Sequence, residues 1–256
     1  MRIILGFAAA IFLSGCTFSQ YAPVAPIYAV SASSPHIAAA LSDERRPAAD
    51  RARDEFRHPA ETLAFAQIGP GDRVADLLPG GGYFTRIFAV AVGPEGVAYP
   101  TIRPEGMAGQ YETPILEVAA QYPNAVMARA PYDSLAYPEL LDVVFTAQNY
   151  HDMHIAEYNL GDPNGMNRSA FAALKPGGLY IVIDHAAVPS AEMAEALAAH
   201  RITENQVRSE VEAAGFIFDG SSDALRNPLD ARTLNVFDPA IRGRTDQFML
   251  RFRKPG

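Results

Sequence analysis

The most restrictive stretch of this chain runs from Arg73 to Val92. Residues 73–77 read as a short strand, Pro79-Gly80-Gly81-Gly82 as a turn, and residues 83–92 as a helix. A buried strand that enters a helix through a glycine turn must return to the sheet by a crossover, and this makes the next strand parallel. The pattern then repeats. Gly93-Pro94-Glu95-Gly96 turns into a second strand at 97–101, a helix at 111–121 leads to a third strand at 125–129, and residues 141–147 form a fourth. The fourth carries an apolar run, Val143-Val144-Phe145, as expected of a strand covered on both faces. A long loop, 148–163, precedes a helix ending at Leu174-Lys175. Pro176-Gly177-Gly178 opens a fifth strand at 179–184. Residues 203–214 are amphipathic and stop at Gly215, and short strands at 216–218 and 247–252 follow, separated by a polar loop too long for a tight hairpin. Alternation of this kind predicts an α/β fold, a Rossmann-like doubly wound sheet of about seven strands with helices on both faces.

The N-terminus carries a different signal. Arg2 precedes an apolar run, 3–12, of the size of a signal-peptide core. It is too short to span a bilayer, which needs about 20 apolar residues. Leu13-Ser14-Gly15-Cys16 resembles the lipobox of bacterial lipoproteins, and Cys16 is the only cysteine in the chain. The resemblance implies a signal peptide over 1–15, lipidation of Cys16 and a membrane anchor. Thr17 is not acidic, so the sorting rule for such proteins directs the chain to the outer membrane, facing the periplasm. The Ser-, Ala- and Pro-rich segment 16–35 reads as an extended tether. A domain over 36–256 follows, starting with a helical segment at 47–65 that breaks near His58-Pro59.

A lone cysteine rules out an internal disulfide, so the domain must be stable through its core. With 49% hydrophobic and 20% charged residues it has the material for one. A net charge of -8 argues against a nucleic-acid-binding surface, which needs clustered Lys and Arg. Oligomeric state is left open.

Val74-Ala75-Asp76-Leu77-Leu78-Pro79-Gly80-Gly81-Gly82-Tyr83 resembles motif I of class I S-adenosylmethionine-dependent methyltransferases, and Leu174-Lys175-Pro176-Gly177-Gly178 resembles their turn before strand five. Ala213-Ala214-Gly215-Phe216 and the strand ending at Phe252 match their closing segments. More narrowly, Asn149-Tyr150-His151-Asp152 after strand four and Asp184-His185 after strand five are similar to a group of predicted methyltransferases. The resemblance covers about Asp50 to Lys254 and implies a mostly parallel sheet with an antiparallel last strand. It also implies S-adenosylmethionine as cofactor. Asp76, Gly80, Gly81 and Gly82 would lie along its methionine part, Asp133 would meet the adenine amino group, and Asn149 would contact the cofactor from strand four. Independently of the family, a glycine turn after a parallel strand lets backbone N–H groups and a helix N-terminus approach a ligand. Two departures stand out. Leu78 occupies the position of the first motif glycine, and strand two ends without the usual ribose-binding acid, Glu105 being the nearest carboxylate.

Ligands of doubly wound sheets bind beyond the carboxyl ends of the strands. Strands four and five deliver Tyr150, His151, Asp152, His154, Asp184 and His185 to that edge, and His200-Arg201 adds a polar contact. Methyl transfer to a protonated nucleophile needs a base, and histidine titrates near neutrality. This assigns His151 as general base, Asp152 or Tyr150 as its orienting partner, and His185 as substrate contact or second base. The acceptor is a small molecule or a cell-envelope component. Two alternatives compete: a binding or scaffold lipoprotein that keeps the fold without the chemistry, and a metal-dependent enzyme using His151, Asp152, His154, Asp184 and His185. No metalloprotease pattern is present, and the absence of a Gly-x-Ser-x-Gly elbow argues against nucleophilic hydrolysis.

Overall fold

A computed structural model of the chain describes residues 30–104 and 112–256. The lipobox, Cys16 and most of the predicted tether lie outside the described residues, as does Glu105. Where description begins, the chain enters helix α1 (Pro35–Ser42), with Ile37 and Ala40 fully buried. Three short helices follow, α2 (Ala48–Arg51), α3 (Asp54–Arg57) and α4 (Pro59–Phe65). The chain breaks where expected, at His58, whose φ of 41° is left-handed and whose successor is a proline. Among the described residues no helix is long and apolar enough to cross a membrane.

The sheet contains β1 (Arg73–Leu77), β2 (Val97–Ile102), β3 (Ala128–Arg129), β4 (Leu141–Ala147), β5 (Leu174–His185), β6 (Ile217–Ser222) and β7 (Gln247–Arg253), in the spatial order β3-β2-β1-β4-β5-β7-β6. β1 pairs in parallel with β2 and β4, and β4 with β5, whereas β7 runs antiparallel to both β5 and β6. The seven-stranded mixed sheet of the class I methyltransferase fold is therefore present, with its reversed last strand. Helices α5 (Tyr83–Ala91) and α6 (Glu112–Gln121) connect the first half of the sheet, and α7 (Pro163–Ala173), α8 (Met193–Ala198) and α9 (Glu204–Ala213) the second.

Side chains alternate along each strand between two apolar layers, as the pleat requires. Val74, Val143, Phe145, Leu179, Ile181 and Ile183 face the layer built from α1, α4 and α5. Ala75, Leu77, Val144, Tyr180 and Val182 face the layer built on α7 and α9. Covering both faces explains why β4 and β5 read as continuous apolar runs.

Three strand boundaries differ from expectation by more than one residue, one of them β6, which runs on to Ser222 where 216–218 was expected. Only Ala128–Arg129 of the third strand pairs fully, and Ala125 makes an isolated bridge to Ala98. This is the outer edge of the sheet, where Val126 and Arg129 are exposed and little burial holds an extended strand. β5 starts earlier than the Pro176-Gly177-Gly178 turn suggests, because Leu174 pairs with Leu141 before a register shift.

The helical segment before β1 is locked onto α5. Arg46 pairs with Asp54 at 2.5 Å, the Tyr83 hydroxyl donates to Asp54 at 2.6 Å, and Arg86 pairs with Asp50 at 2.9 Å. The charge-rich stretch of the sequence is thus a latch holding α2 and α3 beside the glycine turn.

Candidate active site

β1 brings Asp76 beneath the glycine turn, where the Thr85 hydroxyl donates to it at 2.6 Å. Burial pushes the Asp76 carboxyl up to about 7, against the pull of Thr85 and of the Arg57 charge. Above it Leu78, Gly80 and Gly82 all have positive φ, at 51°, 54° and 79°. Leu78 therefore adopts the left-handed backbone that the motif normally gives to glycine, a strained conformation for a branched side chain. Gly82 is irreplaceable for packing as well, since a Cβ there would stand 2.7 Å from Val118. Among the described residues an added Cβ at Gly80 or Gly81 meets nothing within 4 Å.

Asn149 spends its amide N–H groups on the loop, donating to Leu78 O at 3.1 Å and to Ala147 O at 2.6 Å. It ties the end of β4 to the glycine turn. Asp133 lies beyond β3, close to Gly161 and Gly165 at the start of α7. β2 ends in Thr101-Ile102-Arg103 with no carboxylate among the described residues. Instead Tyr99 and Tyr137 pack together with ring centroids 5.3 Å apart, and Thr101 hydrogen-bonds Tyr137 at 2.8 Å.

At the ends of β4 and β5 the polar groups are far more densely connected. Asp184 is fully buried and accepts three hydrogen bonds, from the His151 backbone N–H at 2.7 Å, from His151 Nδ1 at 2.8 Å and from the His185 backbone N–H at 2.7 Å. Burial alone would raise its pKa, but the His151 charge and these donors hold it below the ordinary carboxylate value. His151 Nε2 faces Asp152 Oδ1 at 3.1 Å. Burial opposes charge on the His151 ring, yet two carboxylates flank it, and together they raise it to about 10. His151 is thus an imidazolium between two acids near neutral pH. His185 is the opposite case. Burial brings it down to about 3, and its Nδ1 hydrogen-bonds the Thr245 hydroxyl at 2.7 Å.

Three of the expected partners lie elsewhere. Tyr150 does not orient His151. Its ring is buried on the α7 and α9 side, donating from its hydroxyl to Glu210 at 2.8 Å and accepting from Asn167 at 2.7 Å. Neighbouring residues in the 3-10 turn His151–His154 point in different directions, so adjacency in sequence gave no contact. His154 joins that second network, donating to Glu210 at 3.1 Å, and it is separate from His151. Arg201 is fully buried against Asp230 at 2.9 Å, an anchor for the 225–246 loop rather than a site contact.

His200, expected as a polar contact, does reach this cluster, and Arg57, which no motif singled out, lies near the glycine turn. His200 approaches Asp152 Oδ1 with its Nδ1 at 3.7 Å and meets His151 edge-to-face at 5.4 Å between ring centroids. Arg57 donates to Gln148 at 2.7 Å and lies over the Tyr83 ring at 4.7 Å. Burial, reinforced by the neighbouring Arg53 charge, lowers Arg57 to about 10. Gln148 and His200, like Leu78, have left-handed backbones, with φ of 65° and 54°. Strain of this kind gathers where a structure holds side chains in set positions, and it was not visible in residue type.

Sequence comparison finds no matching family model and no matching curated protein. Solved structures do match. The fold is similar to that of an S-adenosylmethionine-dependent methyltransferase from Aquifex aeolicus, with 16% identity, a TM-score of 0.58, and 79% of this chain and 93% of that one covered. It is similar too to a sarcosine dimethylglycine methyltransferase, described as putative, from Galdieria sulphuraria, with 13% identity, a TM-score of 0.57, and coverage of 84% and 90%. A third is the [4+2]-cyclase SpnF, with 18% identity, a TM-score of 0.55, and coverage of 83% and 84%. The chain has the class I methyltransferase fold. The cyclase shows that this fold also carries other chemistry, so function must be argued from the site.

Proposed function

We propose that the protein binds S-adenosylmethionine at the Asp76–Gly82 loop and transfers its methyl group to a small-molecule or cell-envelope acceptor, while tethered to the membrane through a lipid on Cys16. One observation carries the reading: Asn149 joins the glycine turn to the end of β4, so the loop and the His151–Asp184 pair form one continuous edge. The Arg57 guanidinium beside Gln148 suits the carboxylate of the cofactor's methionine part. The cluster of Asp184, His151 and Asp152 carries more negative than positive charge, which favours a sulfonium nearby. Because His151 is held protonated, its part is to fix Asp152, and the Asp152 carboxylate receives the acceptor's proton as the methyl group arrives. A hydroxyl acceptor becomes strongly acidic as its oxygen takes the methyl group, so a carboxylate suffices as base.

Titration of the full-length protein in detergent with S-adenosylmethionine tests this, with saturable binding expected at micromolar cofactor. A folded protein that binds none at millimolar concentration ends the proposal. The anchor has its own test: incorporation of labelled fatty acid, abolished by Cys16→Ser, is expected in the outer-membrane fraction. A second reading, a binding lipoprotein of the same fold without catalysis, is favoured by the missing carboxylate on β2. It predicts the negative titration.

A further inference from the structure

His151 Nε2, the Asp152 carboxylate and His200 Nδ1 lie within 4.8 Å of one another. Zinc-class cations bind imidazole and carboxylate at about 2.0–2.2 Å, which sets neighbouring ligand atoms about 3–3.5 Å apart. Two edges of the triangle are already near this spacing, with His151 to Asp152 at 3.1 Å and Asp152 to His200 at 3.7 Å.

Three further observations point to a ligand and not to a simple ion-pair network. His200 Nδ1 is buried and has no hydrogen-bond partner among the described residues, since 3.7 Å to Asp152 is too long for one. Leaving a buried nitrogen unsatisfied costs about 1–3 kcal/mol. The protein nevertheless holds it there, with a left-handed backbone at φ 54° and Phe237 packed edge-to-face on the ring at 4.8 Å. On the other side, Asp184 accepts from His151 Nδ1, which fixes the ring so that Nε2 faces Asp152 and His200. A buried carboxylate behind a histidine is the outer support that metal-binding histidines use to set tautomer and orientation.

We propose that His151 Nε2, Asp152 and His200 Nδ1 form a binding site for a divalent transition-metal cation of the zinc class. Two imidazoles and one carboxylate suit first-row transition metals better than magnesium or calcium, which prefer all-oxygen shells. Three protein ligands leave a coordination position free for water or a substrate oxygen. The site shares His151 and Asp152 with the acceptor side of the proposed methyl-transfer centre but does not depend on cofactor binding. Cation binding takes the place of the Nε2 proton that His151 otherwise holds toward Asp152, and that proton leaves to solvent.

Calorimetric titration of the full-length protein, stripped with chelator, tests the site with zinc and with magnesium as probes. One equivalent of zinc is expected at micromolar or tighter affinity, with magnesium at least tenfold weaker. Asp152→Asn and His200→Asn are each expected to weaken zinc binding by tenfold or more. Asparagine tolerates the left-handed backbone at position 200, and unchanged circular dichroism and melting of the metal-free variants shows that they fold. His154→Gln, outside the triangle, is expected to bind as the wild type does. The visible absorption of a cobalt-substituted sample, lost in His200→Asn, gives a second readout at the site. Lack of a stoichiometric zinc site in the wild type overturns the proposal, as does zinc affinity retained in both ligand variants. Zinc binding without S-adenosylmethionine binding leaves this proposal standing and ends the methyl-transfer one.

Discussion

The two halves of the sheet edge are built differently. At β1 and β2 the glycine loop meets no described residue around Gly80 and Gly81, Leu78 replaces a glycine, and Thr101 bonds the Tyr137 hydroxyl near the end of β2, where a carboxylate is usual. At β4 and β5 a buried aspartate takes three donors, a histidine sits between two acids, and a second histidine is held in a strained backbone against them. Buried polar networks are stable only when their members are satisfied, and this one is costly enough that a fold alone does not require it. The densest polar network lies in the second half, and in the proposed function the first half supplies the cofactor cradle.

The contrast can be broken most directly at Asp184. Asp184→Ala leaves the His151 imidazolium buried without its principal partner, and a loss of about 3–5 kcal/mol in urea unfolding is expected. A loss no larger than that of a glycine-loop substitution would mean that the second half is not the more highly built one. Asp76 gives a different signature. Its folded pKa, near 7, lies above the ordinary value of 3.8, so its contribution to stability is full below about 4 and is lost as pH rises through 7. Wild-type stability relative to Asp76→Asn should therefore fall by a few kcal/mol between pH 4 and 8. A flat difference would show that Asp76 is solvated in the native state. Gly82→Ala adds a Cβ against Val118 at a left-handed position, and about 1–3 kcal/mol of destabilisation is expected by thermal melting. The smallest effect on stability belongs to Gly81→Val, within about 0.5 kcal/mol, because its Cβ meets open space. The same variant should weaken S-adenosylmethionine binding by tenfold or more. Unchanged affinity would place the cofactor away from this loop.

Much of the architecture was legible from residue pattern. β1 and β4 begin and end where the apolar runs do, and Gly215 and Pro59 mark real breaks. The outer part of β3 was not, because an edge strand with little burial leaves a weak pattern. The site was legible as a location and not as a set of partners. His151, Asp152, Asp184 and His185 do share one edge, yet Tyr150 and His154 turn away to Glu210 on α9. His200 was expected as a further polar contact without a named partner, and Arg57 carried no assigned role. The only available signals were a histidine just ahead of the predicted helix at 203–214 and an arginine cluster before a glycine-loop strand.

By itself the sequence determined the order of strands and helices, the two apolar faces and the strand ends that carry polar residues. Each of these follows from hydrophobic period and from turn residues a few positions apart. Only the tertiary structure decided that Asp184, and not Tyr150, supports His151, and that His200 meets Asp152. Those pairings join separate crossover units. They depend on which way a 3-10 turn and a left-handed residue aim their side chains, and local pattern does not encode that direction.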